Sequence, residues 1–398
     1  MLRHLLKLTW KRKSRNLMLS LEILVAFAIV FGIAAVGLRY LELYRLPLGF
    51  DGTDTWKIDV QMGDAKPEQV DPGTYDRIRR DLLELPQVRA VGFASFTPYQ
   101  LSSWTSSFKS PQTGADIRSN RIDASDDLAA ALGMRVVAGR WFDARDEGAQ
   151  TLPAVLNRRM AAALFPGRQA LGQRFTGTEK SSVTTFQVIG LVDEFRNKGP
   201  FMTPTNFTIT RFAPHTSAAR LRTVLVKVAP NTPRAFEAQL NARLKLIRND
   251  WGYQIEPLKS MRASLMKEQL MPLAVMGVIA VFMLVMVAFG LFGVLWQNTT
   301  RRIPEIGLRR AVGASAAHIY RQIVAEQLLL SSVAIAVGLA LLVQLPLTGA
   351  LGDMLGWTVF GGAAALSMGV IYLLSLLCAL YPGWRASRLD PSAALHYE

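Results

Sequence analysis

Residues 272–296 read PLAVMGVIAVFMLVMVAFGLFGVLW and contain no charged side chain. A helix needs about 20 mainly apolar residues to cross the hydrocarbon core of a bilayer. Core helices of soluble proteins are usually amphipathic, whereas this stretch is apolar on every helical face. We therefore expect residues 272–296 to form a transmembrane helix rather than a buried core helix.

Three further stretches have the length and composition of transmembrane helices. They cover residues 17–38, which include Glu22, residues 322–347, which include Glu326, and residues 360–382. The first stretch exceeds the apolar core of a signal peptide, and no Ala-x-Ala pattern follows it, so we interpret it as an uncleaved anchor. One span thus precedes a long polar segment, and three spans follow it.

The Lys and Arg residues beside the spans predict their orientation, because cytoplasmic loops carry an excess of positive charge. Six precede the first span, five lie in residues 297–321 and two follow the last span, whereas residues 348–359 have none. We therefore expect a bacterial inner-membrane protein whose termini, including residues 383–398, are cytoplasmic. Residues 39–271 then lie on the periplasmic or extracellular side.

The N-terminal residues 1–16 read as a basic amphipathic helix, with leucines on one side and Lys, Arg and His on the other. Such a helix lies on the surface of membrane lipids. A solvated basic tail that only fixes the topology is the alternative.

The composition excludes several functional classes. Lys+Arg number 45 and Asp+Glu 30, a formal charge of +15, yet the chain is 50% hydrophobic and only 19% charged. A chain both basic and apolar is typical of a membrane protein, since soluble domains carry about 25% charged residues, and we expect no nucleic-acid partner. The single cysteine, Cys378, excludes a disulfide scaffold. Four scattered histidines provide no metal site.

The segment of residues 39–271 contains two βαβ-like units, in residues 50–96 and 220–258. Each has an extended run, a helix opened by an N-cap residue and a proline, and a second extended run. The pattern predicts a split α/β lobe into which residues 97–219 are inserted as a second lobe. Within the insertion we expect a helix over residues 155–164 and a strand over residues 186–192.

These observations predict an α-helical membrane protein with four transmembrane helices, arranged 1+3, and a large α+β extracytoplasmic domain between helices 1 and 2. The sequence has no Gly-x-Ser-x-Gly, His-Glu-x-x-His or Walker A motif. We therefore expect no catalytic, metal or cofactor site and no ATPase activity of the chain itself. The adjacent acids Asp126-Asp127 and Asp193-Glu194 read as solvated surface.

The most informative loop is residues 301–315, RRIPEIGLRRAVGAS. Pro304 suits the first turn of a helix, and Glu305 followed by Arg309 forms a favourable i,i+4 pair. Ile303, Ile306 and Arg310 share one face, and Gly313 can end the helix. The loop therefore predicts a short charged cytoplasmic helix on which a partner docks; a positive-inside loop without a partner is the alternative.

This loop, with residues 319–328 (IYRQIVAEQL) and the tail 381–397 (YPGWRASRLDPSAALHY), resembles FtsX/MacB-type ABC transporter permeases. Residues 155–167 (VLNRRMAAALFPG) and 186–192 (FQVIGLV) resemble the MacB-type periplasmic core domain. The resemblance covers nearly the full length. The sequence departs from the family at Pro304, where a basic or polar residue is usual, and in having no fused ATPase domain.

The resemblance implies a mechanism called mechanotransmission. Two permease subunits, identical or paralogous, pair, and each docks on a separate ATPase subunit that uses ATP and Mg²⁺. Residues 39–46 and 257–271 are implied stalk helices, residues 50–96 with 220–258 a porter-like lobe and residues 97–219 a sabre-like lobe. The implied ATPase-docking residues are Ile303, Glu305, Ile306, Arg309, Arg310 and Gly313. Small residues that favour close helix packing, including the subunit interface, are Gly290, Gly293 and Gly361.

Several functions fit this architecture. The first is export of an antibiotic, peptide or similar substrate. An FtsX-like signalling permease that regulates a cell-wall hydrolase and a Lol-type lipoprotein-release permease are alternatives, as is an ATP-independent membrane-anchored enzyme or receptor. The sequence leaves open the substrate and the participation of a periplasmic adaptor and an outer-membrane channel.

Overall fold

The structure, a computed structural model, divides the chain into two compact units. Residues Met1–Glu42 with Leu270–Glu398 form the membrane unit, and Leu43–Gln269 form the α+β domain. Residues 1–12 of the predicted amphipathic helix and residues 389–398 of the tail lie outside the described residues. The structure describes residues 13–62, 70–71, 73–101, 104–179, 182–212 and 223–388, with the backbone alone at 13–17, 179 and 182.

The regular elements follow one another in this order. The helices are α1 (Lys13–Tyr44), α2 (Gly73–Leu83), α3 (Leu128–Leu132), α4 (Arg158–Leu164), α5 (Phe236–Ile247), α6 (Leu258–Thr300), α7 (Ile303–Ala311), α8 (Ala316–Leu342), α9 (Gln344–Thr348) and α10 (Trp357–Ser387). The strands are β1 (Thr55–Gln61), β2 (Val88–Ala94), β3 (Trp104–Lys109), β4 (Asp116–Ala124), β5 (Val136–Gly139), β6 (Leu152–Asn157), β7 (Arg174–Glu179), β8 (Ser182–Val192), β9 (Phe207–Arg211), β10 (Thr223–Val228) and β11 (Gly252–Pro257).

Within the described residues, four helical stretches are long and apolar enough to cross a membrane: α1, α6, α8 together with α9, and α10. Their 1+3 arrangement on either side of the α+β domain confirms the predicted fold class. Helix α6 is much longer than the predicted span at residues 272–296, because it continues without interruption from Leu258.

All four spanning helices contribute to one of the buried clusters of the membrane unit. Hydroxyl pairs join α8 to α10 inside it: Ser331 Oγ lies 2.7 Å from Ser375 Oγ, and Ser332 Oγ lies 2.9 Å from the Tyr372 hydroxyl. Such pairs satisfy polar groups that have no partner in lipid. The buried apolar residues of this cluster include Ile23, Phe27, Leu291, Ile335 and Ala379.

In the α+β domain, the two βαβ units interleave in a sheet of order β11-β1-β10-β2. All neighbouring pairs are antiparallel, so β1 and β2 run parallel with β10 between them, and β10 and β11 run parallel with β1 between them. Each unit is therefore a split βαβ motif. Helices α2 and α5 cover a core that includes Trp56, Tyr75, Phe93, Phe236 and Trp251.

The strands between β2 and β10 form a closed barrel in the order β4-β3-β7-β8-β6-β9. Closure depends on β9, which pairs with β6 on one side and in parallel with β4 on the other. Phe108, Phe175 and Phe186 fill the barrel, with ring centroids 5.4–5.6 Å apart. A Cβ at Gly177 would lie 2.8 Å from the Phe108 ring, so a larger residue there would overpack the barrel.

The predicted helix over residues 155–164 is wrong in its first part. Val155–Asn157 belong to strand β6, where Val155 and Leu156 are fully buried. The helix α4 begins only at Arg158, because the Asn157 side chain accepts a hydrogen bond from the Met160 backbone N–H (3.0 Å) and caps it. The strand expected over residues 186–192 is the second half of β8.

Candidate docking site

The short helix α7 lies between the spans α6 and α8, and the residues at each of its ends stabilise a helix terminus. Pro304 occupies the first turn, where its missing N–H needs no partner. Glu305 lies near the positive end of the helix dipole, and Arg309 and Arg310 lie in the last turn near the negative end. Gly313, with φ +100°, reverses the chain after the helix.

A continuous series of polar contacts fixes α7 to α8. Arg302 Nη1 lies 2.7 Å from Glu326 Oε2, and Gln322 Nε2 donates to Glu326 Oε1 at 3.0 Å. Arg309 donates to Gln322 Oε1 at 3.0 Å and to Glu305 Oε1 at 2.6 Å. Glu326, which the sequence placed within a span, is therefore the acceptor shared by Arg302 and Gln322.

The face predicted to dock is turned inward at two of its residues. Ile306, only 6% exposed, packs with Ile319 of α8 and Ala386 of α10. Arg310 Nη1 donates to the backbone carbonyl of Ser387 at the end of α10. These two side chains brace α7 against two spans, so a partner docked on the outer face of α7 meets neither Ile306 nor this Arg310 contact.

An apolar pair that the sequence reasoning missed lies on the outer face of α7 and at its C-cap residue. Leu308 is 59% exposed and Val312 is 83% exposed. Their spacing of four residues places them side by side on a helix, and this spacing was the available signal. Glu305 and Gly313 are exposed beside them, and Ile303 is half-buried.

The three glycines predicted to pack spans have different surroundings. A Cβ at Gly290 would lie 2.6 Å from the Glu22 carboxylate, so Gly290 permits close approach of α1 within the chain. A Cβ at Gly293 or Gly361 would meet nothing within 4 Å among the described residues. Gly338, which is not one of the three predicted glycines, packs against the Phe27 ring. A Cβ at Gly338 would lie 2.7 Å from that ring.

The acidic pairs of the α+β domain are engaged in ion pairs and hydrogen bonds. Burial raises the pKa of Glu194, which accepts a hydrogen bond from Asn157. Among the described residues, no group of three His, Cys, Asp or Glu side chains could hold a metal ion. The other three acidic side chains form ion pairs: Asp126 with Arg211 (2.8 Å), Asp127 with Arg79 (2.6 Å) and Asp193 with Arg158 (2.8 Å).

The two segments that join the α+β domain to the spans are held by contacts inside that domain. Arg196 is fully buried, and its guanidinium donates to the carbonyls of Leu46 and Met202, each at 2.9 Å. The carbonyl of Leu46 belongs to the segment directly after α1. At the start of α6, Leu258 and Leu265 are buried in the core beside Phe50 and Tyr99. Both connections to the membrane unit are thus anchored in packed structure.

Two family models match this chain. The model of the MacB-like periplasmic core domain matches residues 18–243, more than half of the chain, and the model of the FtsX-like permease C-terminal domain matches residues 277–391. The chain belongs to the MacB/FtsX-type permease family. This confirms the resemblance drawn from the loop, tail and domain motifs. As a MacB/FtsX-type permease it is an ABC transporter permease, a multi-pass membrane protein with an extracellular segment.

Curated relatives carry the name macrolide export ATP-binding/permease protein MacB. This permease is 29% identical to the MacB protein of Marinobacter nauticus over 272 residues. The aligned region covers 66% of this chain and 41% of the relative. The permease is 25% identical over 419 residues to the MacB protein of Escherichia coli K12, covering 99% of this chain and 60% of the relative. The chain thus spans about half the length of these relatives.

The permease is also similar to the solved periplasmic region of MacB from Actinobacillus actinomycetemcomitans. The two share 15% sequence identity with a TM-score of 0.39, and the likeness covers 56% of this chain and 97% of that one.

Proposed function

We propose that this permease couples ATP hydrolysis by a separate ATPase subunit to movement of its extracellular domain. The observation that carries the proposal is helix α7, braced by Arg302, Arg309 and Arg310 against α8 and α10 while Leu308 and Val312 are exposed. A force applied to a braced helix passes into the spans, whereas a mobile loop would absorb it.

Helix α6 supports the same proposal. It is one 43-residue helix, which at 1.5 Å per residue extends for about 65 Å. Its first turns are buried in the core of the α+β domain through Leu258 and Leu265, and its last residue lies three positions before α7. In sequence, α6 therefore runs from the core of the α+β domain to the residues just before α7, with Pro272 inside it.

The proposed topology places both termini and α7 in the cytoplasm of a bacterial inner membrane, with the α+β domain in the periplasm. The concentration of Lys and Arg in residues 297–321, and their absence from residues 348–359, supports this orientation. ATP and Mg²⁺ would then be bound by two ATPase subunits on the cytoplasmic side. The open surroundings of Gly293 and Gly361 provide surface for a second permease subunit.

We propose that the transport function of this permease is export of an antibiotic, peptide or similar substrate from the periplasmic side. The curated relatives are named for macrolide export, which favours this function over control of a hydrolase or release of a lipoprotein. The drug tolerance of cells tests this proposal. We expect cells that express the permease to tolerate more drug, and deletion of the permease gene to remove that tolerance. Unchanged tolerance with defective cell separation would favour the signalling alternative instead.

The docking assignment is tested by substitutions on the two faces of α7. Leu308→Asp and Val312→Asp place charges on the exposed face without entering the chain's own core, and we expect them to abolish co-purification with the co-expressed ATPase subunit. Val333→Asp is the control, because Val333 is also exposed, at 47%, but lies on α8 in the spanning stretch. Undiminished co-purification of both α7 variants would overturn the assignment.

A further inference from the structure

Four aromatic rings form a cluster between α6 and α10, and three of them contact one another. The Trp296 and Tyr381 rings are nearly parallel, at 9° with centroids 6.0 Å apart. Phe292 lies 6.2 Å from both of them, and Trp384 lies 6.2 Å from Tyr381 at 30°. Tyr381 and Trp384 are about half exposed, so one side of the cluster is uncovered.

Two guanidinium groups lie on the faces of these rings. The Arg385 Cζ is 4.6 Å from the Trp296 centroid, and the Arg388 Cζ is 4.7 Å from the Trp384 centroid. A guanidinium stacked by its face keeps its N–H donors pointing sideways in its own plane. Within the part of the chain that the structure describes, neither side chain has a carboxylate or carbonyl acceptor.

The cluster residues of α10 and its C-cap residue Arg388 share one helical face. Tyr381, Trp384, Arg385 and Arg388 have the spacing i, i+3, i+4, i+7, which aligns them along one side of the helix. Their two guanidinium groups therefore present donors on the same side as the uncovered rings. A single anion with several oxygen atoms can accept from both, and phosphate has the geometry that arginine prefers.

The position of the cluster along the spans identifies the source of that phosphate. Trp296 ends the uncharged stretch 272–296, and Tyr381 lies at the end of the apolar stretch of α10. Tryptophan and tyrosine concentrate where spans meet the headgroup layer, and basic sites between spans at that level bind anionic headgroups. The apolar surface of the aromatic cluster beside the arginines suits the glycerol and upper acyl chain.

We propose that Arg385, Arg388 and the aromatic cluster of α6 and α10 form a binding site for one anionic phospholipid. Its phosphate accepts hydrogen bonds from both arginines, and the start of its acyl chain lies on the Trp296 and Tyr381 rings. The site belongs to the membrane unit alone and does not depend on ATPase docking through α7.

Binding is measured on the full-length chain in dodecylmaltoside micelles with fluorescent phosphatidylglycerol, and with fluorescent phosphatidylcholine as the neutral probe. We expect Arg385→Gln and Arg388→Gln each to weaken phosphatidylglycerol binding about fivefold, the effect of one basic residue near an anionic surface. Arg301→Gln is the matched control, because Arg301 is exposed just after α6 and lies outside the cluster. An equal loss in Arg301→Gln would overturn the site.

A second measurement needs no arginine variant. Phosphatidylglycerol brominated on its acyl chains should quench the tryptophan fluorescence of the unmodified protein more than brominated phosphatidylcholine does, and Trp384→Phe should reduce that difference. Equal quenching by the two lipids would contradict the proposal. Displacement of the fluorescent lipid by inorganic phosphate alone, or by the ATPase subunit, would show that a free anion or a protein occupies the site and would also overturn it.

Discussion

At the scale of single residues, the ion pair between Arg302 and Glu326 connects the docking helix to a span. Both side chains are about one-fifth exposed, so water screens their attraction only in part. Removing one partner of such a pair leaves the other charge without compensation, which costs more than the pair contributes. The pair therefore favours one orientation of α7 relative to α8.

We predict that Arg302→Glu and Glu326→Arg each lower ATPase-coupled efflux strongly, because like charges then face each other. The double variant restores an opposite-charge pair and should recover most of the efflux. Efflux assays on equal amounts of membrane-inserted protein measure this, with Arg301→Glu as a control for general charge. A double variant no better than either single variant would contradict the role of the pair.

A second residue-scale prediction concerns Asp146 in the α+β domain. Burial alone would raise its pKa, but hydrogen bonds from Arg140 (2.6 and 2.7 Å) and from the Asp143 backbone N–H (3.0 Å) outweigh burial and lower the pKa. An aspartate with a folded pKa below its unfolded value of about 3.9 stabilises the fold above that pH and ceases to do so as the pH falls through the folded pKa.

We therefore expect Asp146→Asn to destabilise the domain by about 1–3 kcal/mol at pH 7, the usual cost of unpairing a buried charged hydrogen-bond group. The difference in melting temperature from the unmodified protein should narrow below about pH 4, where the unfolded-state carboxyl is protonated. Thermal unfolding followed by circular dichroism at several pH values measures it. A difference that is constant with pH would exclude the ion pair as its cause.

The residues of the docking helix show what sequence can and cannot predict. The caps and the Glu305–Arg309 pair depend on neighbours along one helix, so spacing alone found them. Ile306 and Arg310 were predicted to face a partner, but they contact α8 and α10, whose positions depend on tertiary packing. Leu308 and Val312 became visible as the outer face only once that packing was known.

At the scale of elements, the proposed coupling depends on α6, which contains Pro272. Its exposed residues Val275 and Met276 lie just inside the membrane unit. Glycine in a helix interior costs about 1 kcal/mol per residue relative to alanine and makes the helix easier to bend.

We predict that the double variant Val275→Gly/Met276→Gly retains ATPase binding but loses efflux, because a bent helix does not transmit displacement. Val275→Ala/Met276→Ala removes the same side chains and should keep efflux near the original level. Co-purification and efflux are measured on the same preparations. Normal efflux by the glycine variant would show that α6 need not be rigid.

The strands of the α+β domain mark a second limit of sequence reasoning. The split βαβ units were visible as local repeats of strand, helix and strand. The closed barrel depends on the parallel pairing of β9 with β4, for example Asn120 with Phe207, across a long separation in sequence. Val155–Asn157 read as helix because the residues after them are helical, and only burial between β8 and β9 selects the strand.

At the scale of the whole molecule, the charge of +15 and the mean hydropathy of +0.21 describe different parts of one protein. The apolar residues lie in the four spanning stretches, and the arginines of α7 and α10 lie at their ends. The 1+3 arrangement was predictable from composition, because the length and apolar character of each spanning stretch are local properties of the sequence. The partner and substrate were not, since both depend on surfaces formed by folding.

The central claim is that ATP binding by the docked ATPase moves the α+β domain relative to the spans. Spin labels at Leu246→Cys in α5 and Leu351→Cys in the loop before α10, both exposed, report that distance in a Cys378→Ser background. Double electron–electron resonance should show a changed distance distribution when the complex is trapped with ATP, and no change when Leu308→Asp is added. An identical distribution with and without ATP in a complex that retains its ATPase would contradict the account.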